Sequence, residues 1–460
     1  MLSFSTAEFF GGGSFNIINF LLPGFLALVI GLPPALAGLV MFTARIVDAV
    51  IDPPIGLLSD WSRVRLGSRR GPLLAFSPFI VLTLFLTFYP SANPSLTVRF
   101  WGVLLAYVSF SIVQSSVMIP YYSLASEATE DYTERSRLTS LRLGISIFAS
   151  ILCVALPGVV IDIFGGHRGY MVMSLLFGTI FTITVAITAI FAKEGIPAPK
   201  KVARFSRQEF FRPLKVRPFR QYLLLFLCVQ LTMAVMSALF FFYIDFYFAR
   251  EATARGESTM IGLVAAAILF GMQIVALPIY LRMMKKHSKT TAYTVGSVIW
   301  IVGAILLFFM PADISPVFLY LLAAMLGFGI SGPGLVPHAL LPDVIDAGQL
   351  QFGKRTAGAF SGLSNLFIQI SQAAGIAIVM ALIGAAGFVE ANLAAGDIIT
   401  AQPTSAQTAI RLILMATPIL FMSIGIFAAS RYRLNGTRHK ALLEALDGTD
   451  AEKEAVLREL

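Results

Sequence analysis

Long apolar stretches recur along the chain between short polar breaks, each about 20 residues long, the length a helix needs to cross a hydrocarbon core. The pattern predicts spans at 7–31, 34–58, 71–91, 98–125, 141–163, 168–192, 221–248, 259–281, 291–310, 316–341, 357–387 and 407–430. The first has no basic n-region and no small-residue cleavage site, so it reads as a retained span and not a removable signal peptide. Composition agrees: 57% of residues are hydrophobic, 13% are charged and mean hydropathy is +0.81, far from the balance of a soluble globular protein. The expected class is an all-α integral membrane protein.

Placement of Lys and Arg orients the spans. One set of connections holds Arg63, Arg65, Arg69, Arg70, Arg135, Arg137, nine basic residues from Lys193 to Arg220, Arg282, Lys285, Lys286, Lys289, Lys354, Arg355 and the C-terminal tail. The opposite set holds Arg99, Arg168, Arg250 and Arg255. The positive-inside rule puts the richer set and both termini in the cytoplasm, which makes this a multi-pass protein of the plasma membrane. The net charge of +9 is spread over those loops, where anionic headgroups meet it. No basic, aromatic-interleaved module is present to bind nucleic acid. Cys153 and Cys228 fall in spans of different halves and read as small apolar packing residues, not as a disulfide or a metal pair.

The longest polar break carries Pro197, Pro199, Pro213 and Pro218 and divides the spans six and six. The expected organisation is an N-terminal six-helix bundle over 1–192, a cytoplasmic linker over 193–220, a C-terminal six-helix bundle over 221–430 and a cytoplasmic tail over 431–460. Two six-helix halves around a midplane cavity is the architecture of major facilitator transporters, whose halves rock to expose one site alternately to each side. Gly11, Gly12 and Gly13 in the first span, and Gly353, Gly358, Gly362 and Gly375 around the eleventh, suit close helix approach. In the tail, Leu442, Leu443 and Leu446 fall near helical spacing, which predicts a short helix. A monomer is expected.

Two carboxylates stand inside the second span, in Ala44-Arg45-Ile46-Val47-Asp48-Ala49-Val50-Ile51-Asp52-Pro53-Pro54. A carboxylate at membrane depth costs several kcal/mol unless partnered, so such residues mark ion or substrate pathways. Arg45, Asp48 and Asp52 lie at i, i+3 and i+7 and project from one face. A packed ion pair between Arg45 and one Asp is the plain reading, but one Arg does not neutralise two carboxylates. Two neighbouring carboxylates also resist joint ionisation and attract a proton or a small hard cation. Sodium would need further oxygen ligands, and Ser115 on the fourth span is a candidate.

Gly56-Leu57-Leu58-Ser59-Asp60-Trp61-Ser62-Arg63-Val64-Arg65 follows, then Leu66-Gly67-Ser68-Arg69-Arg70-Gly71-Pro72. A Gly for close approach, an Asp at the helix end and a basic tight loop form the cytoplasmic motif of major facilitators. Together with Ser126-Glu127-Ala128-Thr129-Glu130-Asp131-Tyr132-Thr133-Glu134-Arg135-Ser136-Arg137, and with Leu341-Pro342-Asp343-Val344-Ile345-Asp346-Ala347-Gly348 before Gly353-Lys354-Arg355, it resembles the glycoside-pentoside-hexuronide:cation symporter family, typified by melibiose permease. The resemblance spans both halves.

That resemblance implies cation-coupled symport of a small organic solute, a sugar or glycoside, by alternating access. It implies Asp48, Asp52 and Ser115 as cation ligands, with H+ or Na+ as the coupling ion and no other cofactor. Arg142 becomes a cavity residue near the solute, and Tyr122 matches an aromatic position that stacks on sugar. Gln369 takes the place of a cavity Lys, and Asn16 and Asn365 are further cavity candidates. Arg45, Asp60, Arg63, Arg65, Glu127, Asp131, Arg135, Asp343, Asp346, Lys354 and Arg355 are the implied gating charges.

Departures from the family pattern matter as much. Its sugar-binding Asp residues on the first and fourth helices have no counterpart here: Gly13 or Ser14, and Met118, stand in their places. Ile51 replaces a polar residue common among sodium users, which favours a proton. Loss of both clamp carboxylates keeps open a lysophospholipid or other amphipathic solute, which some members carry. A membrane enzyme is not expected, because no His-rich metal set, P-loop or nucleophile-base constellation has a recognisable spacing.

Overall fold

A computed structural model of the chain describes residues 2–65, 67–91, 93–126, 132–192, 207–254, 258–353, 356–390, 401–434, 436–446, 453 and 456. Among the described residues, twelve helical spans are long and apolar enough to cross a membrane. They are α1 (Glu8–Leu28), α2 (Pro34–Arg65), α3 (Arg70–Thr87), α4 (Leu96–Ser126), α5 (Tyr132–Phe164), α6 (Gly166–Phe191), α7 (Arg217–Tyr243, continued by a π turn over Ile244–Phe248), α8 (Ser258–Lys286), α9 (Lys289–Phe309), α10 (Pro316–Phe352), α11 (Ala357–Ala385) and α12 (Thr404–Ser430). A shorter, more polar α13 covers Gly436–Leu446 in the tail. The helices overrun the apolar blocks that predict them. The apolar pattern stops at 58 and 341, whereas α2 continues to Arg65 and α10 to Phe352. Hydropathy marks where lipid ends, not where backbone hydrogen bonding ends: the 37 residues of α10 rise roughly 55 Å, well past a core of about 30 Å.

Contacts divide the chain into two compact units. The first gathers Met1–Arg204, Ser237–Ala267 and Ile376–Ala409. In it α1 packs on α5, α2 on α4, and α3 on both α4 and α6. The glycine triplet permits the α1–α5 approach: a Cβ at Gly12 would stand 2.8 Å from the Ser146 carbonyl oxygen, and one at Gly13 would stand 2.7 Å from Cys153 Sγ. Cys153 is thus the buried packing residue the sequence suggested. Phe10 fills the space beside the triplet, with ring centroids 5.4 Å from Phe181 and 6.3 Å from Phe110. Since lipid is as apolar as these side chains, such packing, not water exclusion, holds the helices together.

The second unit gathers Phe205–Met236, Ile268–Gly375 and Ile410–Leu460. Here α9 packs along α10, and α13 docks on α10. Trp300, fully buried on α9, directs Nε1 at Met236 Sδ, 3.0 Å away. Tyr293 donates from its hydroxyl to the Leu225 carbonyl at 3.2 Å. The tail is part of this unit: Leu442 is fully buried and Leu434 and Ala445 nearly so.

Candidate functional site

In the first unit α2 and α4 lie side by side in the same sense, and Asp48, Asp52 and Ser115 meet between them. Ser115 Oγ stands 2.7 Å from Asp48 Oδ1 and 2.6 Å from Asp52 Oδ1. A hydroxyl has one proton and can donate to one carboxylate only. A second contact that short is one that a proton on the other carboxylate, or a cation shared among the three oxygens, would stabilise. Arg45 Nη1 is 3.6 Å from Asp48 Oδ2, beyond hydrogen-bond length, and its guanidinium lies 5.7 Å from the Phe15 ring centroid. Arg45, Asp48 and Ser115 are all buried. Pro53 and Pro54 follow at once within α2. Having no N–H, they leave the carbonyls of Ala49 and Val50 without helical donors.

The same face of α4 carries Met118 and Tyr122, three and seven residues beyond Ser115, so the second group lies about 10 Å along the axis. There Arg142 on α5 donates from Nε and Nη2 to Glu8 Oε1 at 2.9 and 2.6 Å, and from Nε to the Tyr121 hydroxyl at 3.2 Å. Its guanidinium is 4.9 Å from the Tyr121 ring centroid and 5.3 Å from that of Tyr122. The Tyr122 ring is half exposed, a surface open to stacking. Glu8 is the residue that sequence reading missed. The family pattern puts a first-helix carboxylate deeper, where Gly13 or Ser14 stands, whereas this chain carries one more than a turn earlier, buried against Arg142.

Of the remaining candidates, Asn16 donates from Nδ2 to the Gly12 carbonyl of its own helix at 2.8 Å. Asn365 and Gln369 sit one turn apart on α11 in the second unit, the first exposed and the second half-buried. Asp60 pairs with Arg69, Nη1 to Oδ1 at 2.7 Å, and Arg69 Nη1 also donates to Ser59 Oγ at 2.8 Å. Arg63 Nη1 closes the turn by donating to the Gly67 carbonyl at 2.9 Å, and Arg65 is exposed. Gly67 takes φ +71, a left-handed conformation that favours glycine. Arg70 ties this turn to α6 by donating from Nε to the Ala189 carbonyl at 2.6 Å and from Nη2 to that of Ile190. Glu127, Asp131, Lys354 and Arg355 lie outside the described residues, as does the side chain of Arg135.

Asp343 and Asp346 stand on α10 in the second unit. Lys289 Nζ reaches Asp343 Oδ2 at 2.6 Å and the Ala339 carbonyl at 2.8 Å. From α13, His439 Nε2 lies 3.2 Å from Asp346 Oδ2 and 3.8 Å from Asp343 Oδ1. Asp162 and Asp245 line one cavity of about 140 Å³ with Phe20, Tyr170, Phe241 and Thr259 in the first unit.

The described residues thus give twelve helices long and apolar enough to cross a membrane, with buried charges on facing helices, the build of a membrane carrier. The profile of the MFS/sugar transport proteins matches residues 5–436, and the chain belongs to that family; it is a symporter of the major facilitator superfamily. It is 27% identical to an uncharacterized symporter of Synechocystis sp., covering 97% of both chains. It is 24% identical to the isoprimeverose transporter of Lactiplantibacillus pentosus, over 99% of this chain and 92% of that one. A sodium-dependent lysophosphatidylcholine symporter of Danio rerio matches at 22%, over 92% of this chain and 86% of that one. Among solved structures, the nucleoside transporter NupG superposes with a TM-score of 0.64 at 11% identity, over 94% of this chain and 98% of that one. A bacterial homologue of the lysosomal transporter Spinster gives the same TM-score at 14% identity, over 94% and 96%. These two likenesses show the fold.

Proposed function

We propose that the chain couples entry of a cation to uptake of a small polyhydroxylated solute, a sugar or glycoside, by alternating access. Asp48, Asp52 and Ser115 form the cation site, and Arg142, Tyr122 and Glu8 form one wall of the solute site. The observation that carries this reading is the single Ser115 hydroxyl held within hydrogen-bond distance of two carboxylates, an arrangement that suits a proton or metal cation between them. A proton is favoured, because Ile51 offers no side-chain oxygen; a sodium ion would draw on the carbonyls of Ala49 and Val50.

Arg142 is matched by Glu8, so this wall carries donors and acceptors with no net charge. That suits neutral hydroxyls, and the half-exposed Tyr122 ring suits the apolar face of a pyranose. The exposed Asn365 and the half-buried Gln369 are proposed as second-half contacts, because an exposed amide on a membrane helix belongs to a watered cavity and not to lipid; Asn16 is proposed as a further contact. A lysophospholipid is the second reading, supported by the near full-length likeness to a lysophosphatidylcholine symporter. The termini are proposed to be cytoplasmic, with the linker and tail on that side of the plasma membrane and the chain a monomer. Asp60 with Arg63, Arg65 and Arg69, the loop charges Glu127, Asp131 and Arg135, and Asp343 and Asp346 with Lys354 and Arg355 are the proposed inner gate.

One elementary charge falling through 100 mV yields about 2.3 kcal/mol, roughly fiftyfold accumulation at one charge per solute. The test is uptake into vesicles holding the purified protein, with isoprimeverose, xylosides, uronic acids and lysolipids as solutes. A pH gradient imposed without sodium should drive uptake that a protonophore collapses. Uptake that follows a sodium gradient and ignores pH would assign the site to sodium, and uptake indifferent to both would overturn the coupling.

A further inference from the structure

One feature of the α2–α4 interface lies outside the carboxylate site. Tyr107, Ser111 and Ser115 are spaced four apart on α4, so their side chains form one column. Ser115 is engaged by Asp48 and Asp52. The other two hydroxyls are almost wholly enclosed, Tyr107 at 1% exposure and Ser111 at 0%, and neither has a hydrogen-bond partner among the described residues. A buried hydroxyl left without a hydrogen bond is destabilising, and two in one column beside a charge site invite an explanation.

Arg45 supplies it. On α2 it lies one turn before Asp48, and since α2 and α4 run in the same sense, it stands towards Tyr107 and Ser111. The Tyr107 hydroxyl interacts electrostatically with Arg45 and with Asp48. The guanidinium is held to Asp48 at 3.6 Å, by charge and without a hydrogen bond. A cation arriving at Asp48 would take over that attraction, and a guanidinium with five donors then needs other acceptors in a place sealed from water. The open lone pairs of Tyr107 and Ser111 stand on the facing helix.

We infer that Tyr107 and Ser111 form the resting place of the Arg45 guanidinium when the coupling cation occupies Asp48 and Asp52, so that Arg45 passes between a carboxylate and two hydroxyls in step with ion binding. This rests on the proposed cation site. It makes Tyr107 and Ser111 positioning residues, which act through Arg45 and touch neither ion nor solute. Arg45 is then a resident cation that holds Asp48 in the empty carrier and yields to the transported one.

The experiment measures thermal stability of the full-length protein in lipid nanodiscs against sodium concentration at fixed pH, and against proton concentration in sodium-free buffer. The two arms identify the ion. Tyr107→Phe, Ser111→Ala and the double variant are compared with the parent. In the double variant the half-saturating concentration of the effective cation should rise about tenfold, the loss of a hydrogen bond to a charged group. Stability without the cation should be unchanged or higher, because a buried unpaired hydroxyl has been removed. An unchanged half-saturating concentration overturns the inference, as does a fall in cation-free stability, which would make the hydroxyls plain packing elements. If Asp48→Asn and Asp52→Asn keep the parent's cation response, the cation site itself is wrong, a failure distinct from that of the hydroxyl column.

Discussion

Asp48 on α2 and Asp343 on α10 are buried to nearly the same degree, 5% and 8% exposed, yet they are neutralised differently. Asp343 has the Lys289 ammonium at 2.6 Å and His439 at 3.8 Å. Asp48 shares one hydroxyl with Asp52 and has a guanidinium at 3.6 Å that makes no hydrogen bond. Burial alone therefore does not mark a working carboxylate. What separates the two is how firmly the counter-charge is held: a tight partner makes a latch, and a loose one leaves room for a mobile cation.

The sharpest break of that comparison is charge removal at each place. Asp48→Asn or Asp52→Asn should reduce gradient-driven accumulation from about fiftyfold to none, while solute exchange persists and the protein still inserts. Asp343→Asn should keep accumulation and change only its rate. Counterflow and uphill uptake, measured side by side in vesicles, check both; uphill uptake by the Asp48→Asn, Asp52→Asn double variant would break the distinction.

Spans, family motifs and the Asp48–Asp52 pair were legible because each depends on local pattern: apolar length, helical spacing, a basic loop after an Asp; Ser115, on another helix, was a candidate that the family resemblance supplied, and the structure places it against both carboxylates. Glu8 was not, because it stands at the start of the first apolar block, where an acidic residue reads as an ordinary helix start; only the α1–α5 approach over Gly12 and Gly13 explains its burial against Arg142. The same holds for Tyr107 and Ser111. In sequence they are unremarkable polar residues of a membrane helix, and their lack of partners is a property of packing. Helix ends were not legible where α2 and α10 continue past their apolar blocks, since hydropathy carries no signal for backbone hydrogen bonds in water.

Arg142 with Glu8 belongs with Asp343 as a firmly held pair, but its open aromatic neighbour gives it a surface for solute. Arg142→Lys keeps the charge and loses the planar fork, and solute affinity should fall about tenfold to a hundredfold. Glu8→Gln should weaken affinity about tenfold by releasing the guanidinium from its fixed orientation. Equilibrium binding of the transported solute measures both. Unchanged affinity in Arg142→Lys would move the solute away from this wall.

Lys289 offers a smaller effect, because its side chain is 34% exposed and solvent screens the pair. Lys289→Met should lower stability by about 1 kcal/mol or less. It should leave the half-saturating cation concentration unchanged, read by the same thermal titration. A shift in cation dependence would mean that the α10 carboxylates also take part in coupling and would collapse the contrast with Asp48.

The finest test concerns the tail. His439 reaches Asp346 at 3.2 Å from α13, and Leu442, one turn on, is fully buried. One polar attachment to α10 and one apolar attachment to the second unit therefore hold α13 in place. His439→Gln keeps a donor of similar reach and removes the capacity for charge, so the polar attachment weakens while the apolar one stays. Hydrogen exchange over Gly436–Leu446 should speed by about fivefold, the scale of a half-exposed polar contact. Leu442→Ala should speed it more, since a buried Leu truncated to Ala costs about 2–5 kcal/mol. Accumulation should be intact in both variants. If His439→Gln instead exposes α13 as fully as Leu442→Ala does, the polar contact with Asp346 governs docking of the tail, and the latch on α10 is firmer than its distances suggest.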